Sequence, residues 1–179
     1  MKQWTLLTAT RNDGHLLVQF LDEIRDALGR AGVLERARLW IVNDFTLDET
    51  RSIVDDWCAW CKDLRVDVID LPTNLGNQGA MAYGIRQIPI PDSGFVMSLD
   101  SDGEDDLQRI PEIVSACEAC PDRVFFTERG HRKDSGLIRL LYYFYRKVFV
   151  RLTGRCIMPN NYMVLPVRYL DAVRRAPLL

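Results

Sequence analysis

The chain has 179 residues, of which 47% are hydrophobic and 27% are charged, which is typical of a globular protein with one sizeable core. No stretch is long and apolar enough to span a bilayer, and Lys2 and Gln3 lead directly into a strand-like run, so we expect neither a membrane-spanning helix nor a signal peptide. The net charge is only −2.

The predicted elements alternate between strands and helices. Short apolar runs predict five strands, at 4–8, 39–42, 66–71, 95–99 and 124–127. Between them, apolar residues at helical spacing predict helices over about 17–28, from a capping box at Thr46 and Glu49 to Cys61, over 77–88 and over 107–117. This order predicts an α/β fold with a mostly parallel sheet flanked by helices on both faces.

The charge divides the chain into two parts. Residues 1–122 hold 11 Lys and Arg against 22 Asp and Glu, a net charge of −11. Residues 123–179 hold 12 against 3, a net charge of +9, and would attract phosphates or an anionic membrane face. We therefore expect different roles for an acidic, metal-holding part, 1–127, and a basic part of the same domain, 128–179.

The five cysteines suit a reducing cytosol. Two pairs, Cys58 with Cys61 and Cys117 with Cys120, have a spacing that zinc sites also use. Both pairs continue the apolar stripes of predicted helices, which favours buried, inert thiols over zinc.

The most informative segment follows the fourth predicted strand. Its apolar run ends abruptly in a series of acids, Asp100, Asp102, Glu104, Asp105 and Asp106. Open α/β sheets bind ligands at the carboxyl ends of their strands, and massed carboxylates repel one another unless a cation relieves them. A divalent ion that carries a substrate phosphate is the simplest explanation. A solvated acidic turn that caps the next helix is the alternative.

Two earlier loops also follow predicted strands. Val42-Asn43-Asp44 places a carboxylate where it could accept a base N–H or a ribose hydroxyl. In the loop that starts at Asn74, Gly76 and Gly79 would let backbone approach a ligand, although an ordinary strand-to-helix turn would look the same.

Together these loops resemble the family 2 glycosyltransferases, which have the glycosyltransferase A type, Rossmann-like fold. The matching residues are Val42-Asn43-Asp44 with Asp48-x-Thr50, Asn74-x-Gly76 with Ala80, and the DxD motif Asp100-x-Asp102. Asn43 replaces the first acid of the usual pair, and Phe45 replaces a small residue. No Gln-x-x-Arg-Trp sequence occurs, which argues against a processive synthase.

The resemblance implies that 1–127 bind nucleotide sugar and metal, and that 128–179 form the basic acceptor side of the same domain. It also implies roles for single residues. Asp44 would contact the nucleobase, Asp100 the ribose, and Asp102 would bind Mg²⁺ or Mn²⁺ on the diphosphate, joined by Glu104. The other nucleotide-binding residues that it implies are Thr8, Thr10, Asn12, Asn74 and Gly76.

Three further segments are informative: Asp-Ser-Asp-Gly-Glu-Asp at 100–105, the arginine-containing loop 127–135, and Asn-Asn-Tyr at 160–162. They look most like the branch of the family that makes polyprenyl-phosphate sugars, similar to dolichyl-phosphate mannose synthases. The resemblance implies that Arg129 and Arg132 would hold an acceptor phosphate. A lipid phosphate is already ionised near pH 7 and needs no general base; for a hydroxyl acceptor, Glu128 or Asp134 would supply one. The family behaviour implies direct displacement with inversion.

A stripe of apolar and aromatic residues between Leu137 and Leu152, interleaved with arginines, predicts an amphipathic helix. It is either a core helix with solvated arginines or a helix that lies on a membrane. We expect a cytoplasmic protein, with contact at the cytoplasmic face of a membrane in the second case. Nucleic acid is not an expected partner, and the sequence gives no oligomeric state.

Two other functions stay open. Relatives usually continue beyond the position of Leu179, so the chain could be a truncated nucleotide-sugar-binding module without turnover. A nucleotidyltransferase would also use strand-end acids and a metal, but the loop from Thr8 to Gly14 offers only Arg11 and Gly14 of the glycine- and base-rich sequence that such enzymes use.

Overall fold

A computed structural model describes residues 2–46, 49–103, 105–127, 151 and 162–176. Residues up to Phe126 and from Tyr162 onward form one compact unit. The second unit, 127–161, lies almost entirely outside the described residues, so the predicted amphipathic helix and the predicted boundary at 127 stay predictions.

The described unit alternates strands and helices, as the apolar pattern predicts. Its strands are β1 (Gln3–Thr10), β2 (Ala37–Asn43), β3 (Arg65–Asp70), β4 (Gly94–Ser98), β5 (Phe125–Phe126) and β6 (Met163–Pro166). Its α-helices are α1 (Gly14–Arg30), α2 (Thr50–Trp60), α3 (Gly76–Gln87), α4 (Ile110–Ala119) and α5 (Leu170–Arg175). Short 3₁₀ turns lie at Leu34–Arg36, Leu107–Arg109 and Val167–Tyr169.

The six strands form one sheet in the order β3-β2-β1-β4-β6-β5. Strands β1 to β4 pair in parallel, whereas β6 runs antiparallel to both β4 and β5. The prediction of a mostly parallel sheet between helices is confirmed. Strand β6 was not predicted, and β5 is only two residues long.

Two apolar clusters cover the two faces of the sheet. The larger cluster joins Leu6 and Leu39 to α1, α2 and α4, and the smaller one joins Leu7 and Val42 to α3 and α5. Successive strand residues point to opposite faces, which is why neighbours such as Leu6 and Leu7 belong to different clusters.

The start of α2 differs from the prediction. The helix begins at Thr50, and Glu49 precedes it without a side-chain cap. Thr46 Oγ1 instead donates a hydrogen bond to Asn43 Oδ1 at 2.6 Å. The capping box was therefore wrong, because Thr46 belongs to the turn after β2.

None of the described helices is long and apolar enough to cross a membrane. The four described cysteines are free thiols, and burial raises the pKa of Cys58, Cys61 and Cys117. Cys61 and Cys117 are buried as predicted, whereas Cys58 is partly buried and Cys120 is exposed.

Candidate nucleotide site

The strand order creates a crevice at the carboxyl ends of β1 and β4. From β1 the chain moves outward to β2 and β3, then returns to add β4 on the other side of β1. The connections after β1 and β4 therefore leave in opposite directions, and open α/β sheets bind ligands at such a point.

Asp44 connects three loops at this edge. It directly follows β2 and is only 2% exposed. Its main-chain N–H donates to Thr10 O at 3.0 Å, and its Oδ1 accepts from the Leu75 N–H at 2.7 Å. A buried carboxylate is thus fixed against the end of β1 and against the loop that leads into α3.

Asp100 makes the corresponding connection from β4. It is 7% exposed, and its Oδ1 accepts from Asn77 Nδ2, in the first turn of α3, at 3.3 Å. Its main-chain N–H donates to Asp105 Oδ2 at 2.8 Å. This bond joins the two ends of the acidic loop, the segment of acids that follows β4 from Asp100 to Asp106. Ser101 Oγ donates to Ala9 O at 3.2 Å, which ties this loop to the end of β1.

The two acids lie on the same face of the sheet. Val42 and Val96, two and four residues earlier in their strands, belong to the smaller cluster beneath α3. The period of two and the contacts to Leu75 and Asn77 put both carboxylates on the α3 side. Sequence reasoning missed two of these contacts: the bond from Asn77 to Asp100, and the bond from the Asp100 N–H to Asp105. Neither contact could be predicted, because no regular spacing of residues along the chain indicates it.

Asp102 lies at the solvent side of the acidic loop. It is exposed, and the next residue, Gly103, has a positive φ of 79° that turns the chain sharply. Glu104 lies outside the described residues. Within the described part of the chain, no three His, Cys, Asp or Glu side chains form a ready metal site.

The donor set nevertheless fits Mg²⁺ or Mn²⁺. Carboxylate oxygens are their usual protein ligands, and Mg²⁺ in particular takes only one or two carboxylates and fills its shell with water and substrate phosphate. Asp102, which is exposed in the loop after β4, matches such a partial set.

Gly76 forms a tight turn in the loop before α3, and close approach of a ligand to its backbone stays a prediction. Asn74 Oδ1 accepts from the Gly76 N–H at 2.9 Å, and Gly76 has a φ of 71°. A Cβ at Gly76 would meet nothing within 4 Å, so the backbone conformation and not space favours glycine. Both residues are exposed at the start of a 12-residue helix, and the dipole of a helix favours an anion at its N-terminus.

The predicted residues of the first loop lie differently. Thr8 pairs in register with Ile41 of the larger cluster, which places the Thr8 and Thr10 side chains on the face opposite Asp44. Both hydroxyls are buried and have no hydrogen-bond partner among the described residues. Asn12 is exposed with a φ of 58°. Contact of these three side chains with a base stays a prediction.

Behind the acidic loop lies Tyr162, which is 3% exposed in the larger cluster. Burial, followed by the negative charges of Asp105 and Asp106, raises its pKa far above the ordinary value. The phenol therefore stays neutral beside these acids. Arg129, Arg132 and Asp48, which the resemblance also implicates, lie outside the described residues.

These features define an α/β domain with a mostly parallel sheet, whose switch point is the position where such sheets bind ligands. The family model for glycosyl transferase family 2 matches residues 5–168, and the chain belongs to that family. No curated protein matches it.

Solved structures of glycosyltransferases share the fold. The mannosyltransferase PcManGT from Pyrobaculum calidifontis, in complex with GDP-Man and Mn²⁺, has a TM-score of 0.64 at 17% identity, over 96% of this chain and 46% of its own. S. aureus TarS 1-349 in complex with UDP-GlcNAc has a TM-score of 0.63 at 17% identity, over 95% and 47%. Mannosyl-3-phosphoglycerate synthase from Rubrobacter xylanophilus has a TM-score of 0.62 at 13% identity, over 93% and 53%. The chain thus spans about half the length of these proteins.

Proposed function

We propose that this chain transfers a sugar from a UDP- or GDP-sugar to an acceptor, and that the acceptor is a polyprenyl phosphate. The observation that carries the proposal is the pair of buried carboxylates, Asp44 and Asp100, on one face of the sheet. Each is joined by a hydrogen bond to the segment that opens α3, through Leu75 and Asn77.

This arrangement suits a nucleoside diphosphate. Asp44 would accept from a base N–H, and Asp100 from a ribose hydroxyl, since ionised carboxylates only accept hydrogen bonds. The exposed start of α3, with Asn74 and Gly76, would face the diphosphate, because helix N-terminal N–H groups favour anions.

Asp102, with Glu104, would hold Mg²⁺ or Mn²⁺. The ion would neutralise charge on the departing nucleoside diphosphate. PcManGT was solved with GDP-Man and Mn²⁺, and TarS with UDP-GlcNAc, which supports both the donor class and the metal.

The acceptor side rests on the sequence. Arg129 and Arg132 would hold the acceptor phosphate through paired N–H donors, and the amphipathic helix predicted from the sequence between Leu137 and Leu152 would place them at the cytoplasmic face of a membrane. An ionised phosphate oxygen has no proton to lose when it attacks the sugar. Direct displacement with inversion would therefore need no general base from the protein.

The first experiment measures the melting temperature with UDP and GDP, each with and without Mn²⁺. At a ligand concentration 100 times its Kd, the folded state gains about 2.7 kcal/mol, or roughly 5–10 °C for a chain of this size. One of the two nucleotides should give such a shift only when Mn²⁺ is present.

The second experiment measures turnover. Sugar transfer from the matching nucleotide sugar to dolichyl phosphate is the expected result. Transfer only to a hydroxyl acceptor would overturn the lipid-phosphate part, and metal-dependent binding without transfer would indicate a binding module. Release of pyrophosphate from a nucleoside triphosphate would indicate a nucleotidyltransferase instead.

A further inference from the structure

Asn43 joins the carboxyl ends of β2 and β3. Its Nδ2 donates to Asp70 Oδ1 at 2.8 Å, and its main-chain oxygen accepts from the Leu71 N–H at 2.9 Å. Asn43 is 8% exposed, so water competes little for these bonds. The end of β2 is thereby attached to the first residue of the loop that leads into α3.

The Asn43 amide uses both of its ends. Its Oδ1 accepts from Thr46 Oγ1 at 2.6 Å, while its Nδ2 is directed to Asp70. An ionised aspartate has no donor, so it could keep the bond to Thr46 but not the bond to Asp70. Arg51 binds the other oxygen of Asp70 at 2.9 Å, which leaves Oδ1 to Asn43.

The next residue along the chain is Asp44. Its carboxylate accepts from the Leu75 N–H at 2.7 Å. The loop 71–75 is therefore attached to the end of β2 at its first residue by Asn43 and at its last residue by Asp44. A shift of Asn43 would move both the Asp44 carboxylate and the start of α3.

We propose that Asn43 is a positioning residue of the nucleotide site, and that its amide holds Asp44 in place through Asp70. The proposal rests on the proposed function, because it assigns to Asn43 a share of the affinity for the nucleotide. It also explains why an amide stands where the motif it resembles usually has an acid: a second carboxylate here would face Asp70.

The test measures the Kd of UDP and of GDP with Mn²⁺ by titration calorimetry on the 179-residue chain, and the melting temperature without nucleotide. Asn43→Ala and Asn43→Asp should each weaken binding about tenfold, as expected when a buried hydrogen bond that orients a ligand group is lost. The double variant Asn43→Asp with Asp70→Asn reverses the bond, so that the amide at position 70 donates to the carboxylate at position 43. This carboxylate can still accept from Thr46. The double variant should therefore recover nucleotide affinity to within about threefold of the original.

Asp67→Ala is a matched control. Arg38 Nη2 donates to Asp67 Oδ1 at 2.8 Å, which also joins β2 to β3 but nearer their amino ends. Its loss should lower the melting temperature and leave the nucleotide Kd unchanged. Thr46→Ala removes only the hydrogen bond from Thr46 Oγ1 to Asn43 Oδ1 and should weaken nucleotide binding about threefold. This variant provides the test if the Asn43 variants do not fold.

The positioning role alone would be overturned if Asn43→Ala or Asn43→Asp bound the nucleotide as tightly as the original protein. If those variants do not fold, equal affinity in Thr46→Ala would overturn it. A folded exchange variant that stays as weak as Asn43→Asp would also overturn it. If the unaltered chain bound neither nucleotide, both this inference and the proposed function would fall.

Discussion

The two faces of the sheet contribute differently to this protein. The face beneath α1, α2 and α4 carries the larger apolar cluster and, at the end of β1, the buried Thr8 and Thr10. The face beneath α3 carries a smaller cluster, and its strands end in Asp44 and Asp100. One face therefore carries the larger part of the apolar core, and the other carries the two acids of the candidate site.

The largest effect should come from Asp102, the acid proposed to bind the metal. Asp102→Asn should lower sugar transfer about a thousandfold, since it would remove a charged ligand of the ion proposed to stabilise the leaving group. The Mn²⁺-dependent part of the nucleotide-induced melting shift should vanish, whereas the melting temperature without ligand should change little because Asp102 is exposed. Glu112→Gln, an exposed acid on α4, is the control and should retain full turnover. Unchanged turnover in Asp102→Asn would contradict the assignment.

Two neighbouring leucines allow the contributions of the two faces to be measured separately. Leu6 and Leu7 are both fully buried, but on opposite sides of β1. Leu6→Ala and Leu7→Ala should each lower the free energy of unfolding by about 3 kcal/mol, measured in urea. Only Leu7→Ala should also weaken nucleotide binding, because Leu7 packs beneath α3. Equal effects on the nucleotide Kd would mean that the faces are not independent.

Gly84 tests how closely α3 must approach the sheet. A Cβ at this position would lie 2.6 Å from Val42 Cγ2 and 2.9 Å from Leu7 Cδ1. Gly84→Ala should therefore push α3 outward, cost about 2 kcal/mol of stability and weaken nucleotide binding. Gly29→Ala is the control, because a Cβ there meets nothing within 4 Å; it should be neutral or stabilising.

The stability of the protein should depend on pH through Cys117, on the face beneath α1, α2 and α4. Burial, with a smaller effect of Glu118, raises the pKa of Cys117 from 9.0 to about 12. Between these values the unfolded thiol ionises while the folded one does not, so the stabilisation is complete below pH 9 and is lost as the pH rises toward 12. Above pH 9 the original protein should lose about 1.4 kcal/mol per pH unit more than Cys117→Ala, measured in urea. Parallel pH profiles for the two proteins would contradict this.

The smallest effect concerns the turn beside the site. Phe45 has a φ of 54°, a conformation that is strained for an aromatic residue. Phe45→Gly should relieve this strain and raise the free energy of unfolding by about 0.5 kcal/mol, after the larger backbone entropy of the unfolded glycine is counted. Phe45→Ala keeps the strained backbone and should show no gain. If alanine stabilises as much as glycine, the strain does not matter.

Much of the fold followed from local patterns. The apolar runs of β1 to β4 alternate with helical stripes, and a buried parallel sheet needs such runs because both of its faces are covered. Strand β6 escaped prediction because Met163–Pro166 has only four residues, and its place depends on antiparallel pairing with β4. Strand β5 lies within the strand predicted at 124–127, but only Phe125 and Phe126 form it, and they pair with β6.

The sequence alone determined which residues end the strands, and hence that Asp44, Asp100 and Asp102 gather at one edge of a parallel sheet. It determined the family as well, through the order and spacing of short motifs. Only the tertiary structure decided which side of the sheet each residue occupies and what it contacts: Asp44 with Leu75, Asp100 with Asn77, and Asn43 with Asp70. The reason is physical, since periodicity acts between neighbours along the chain, whereas these hydrogen bonds join residues that only folding brings together.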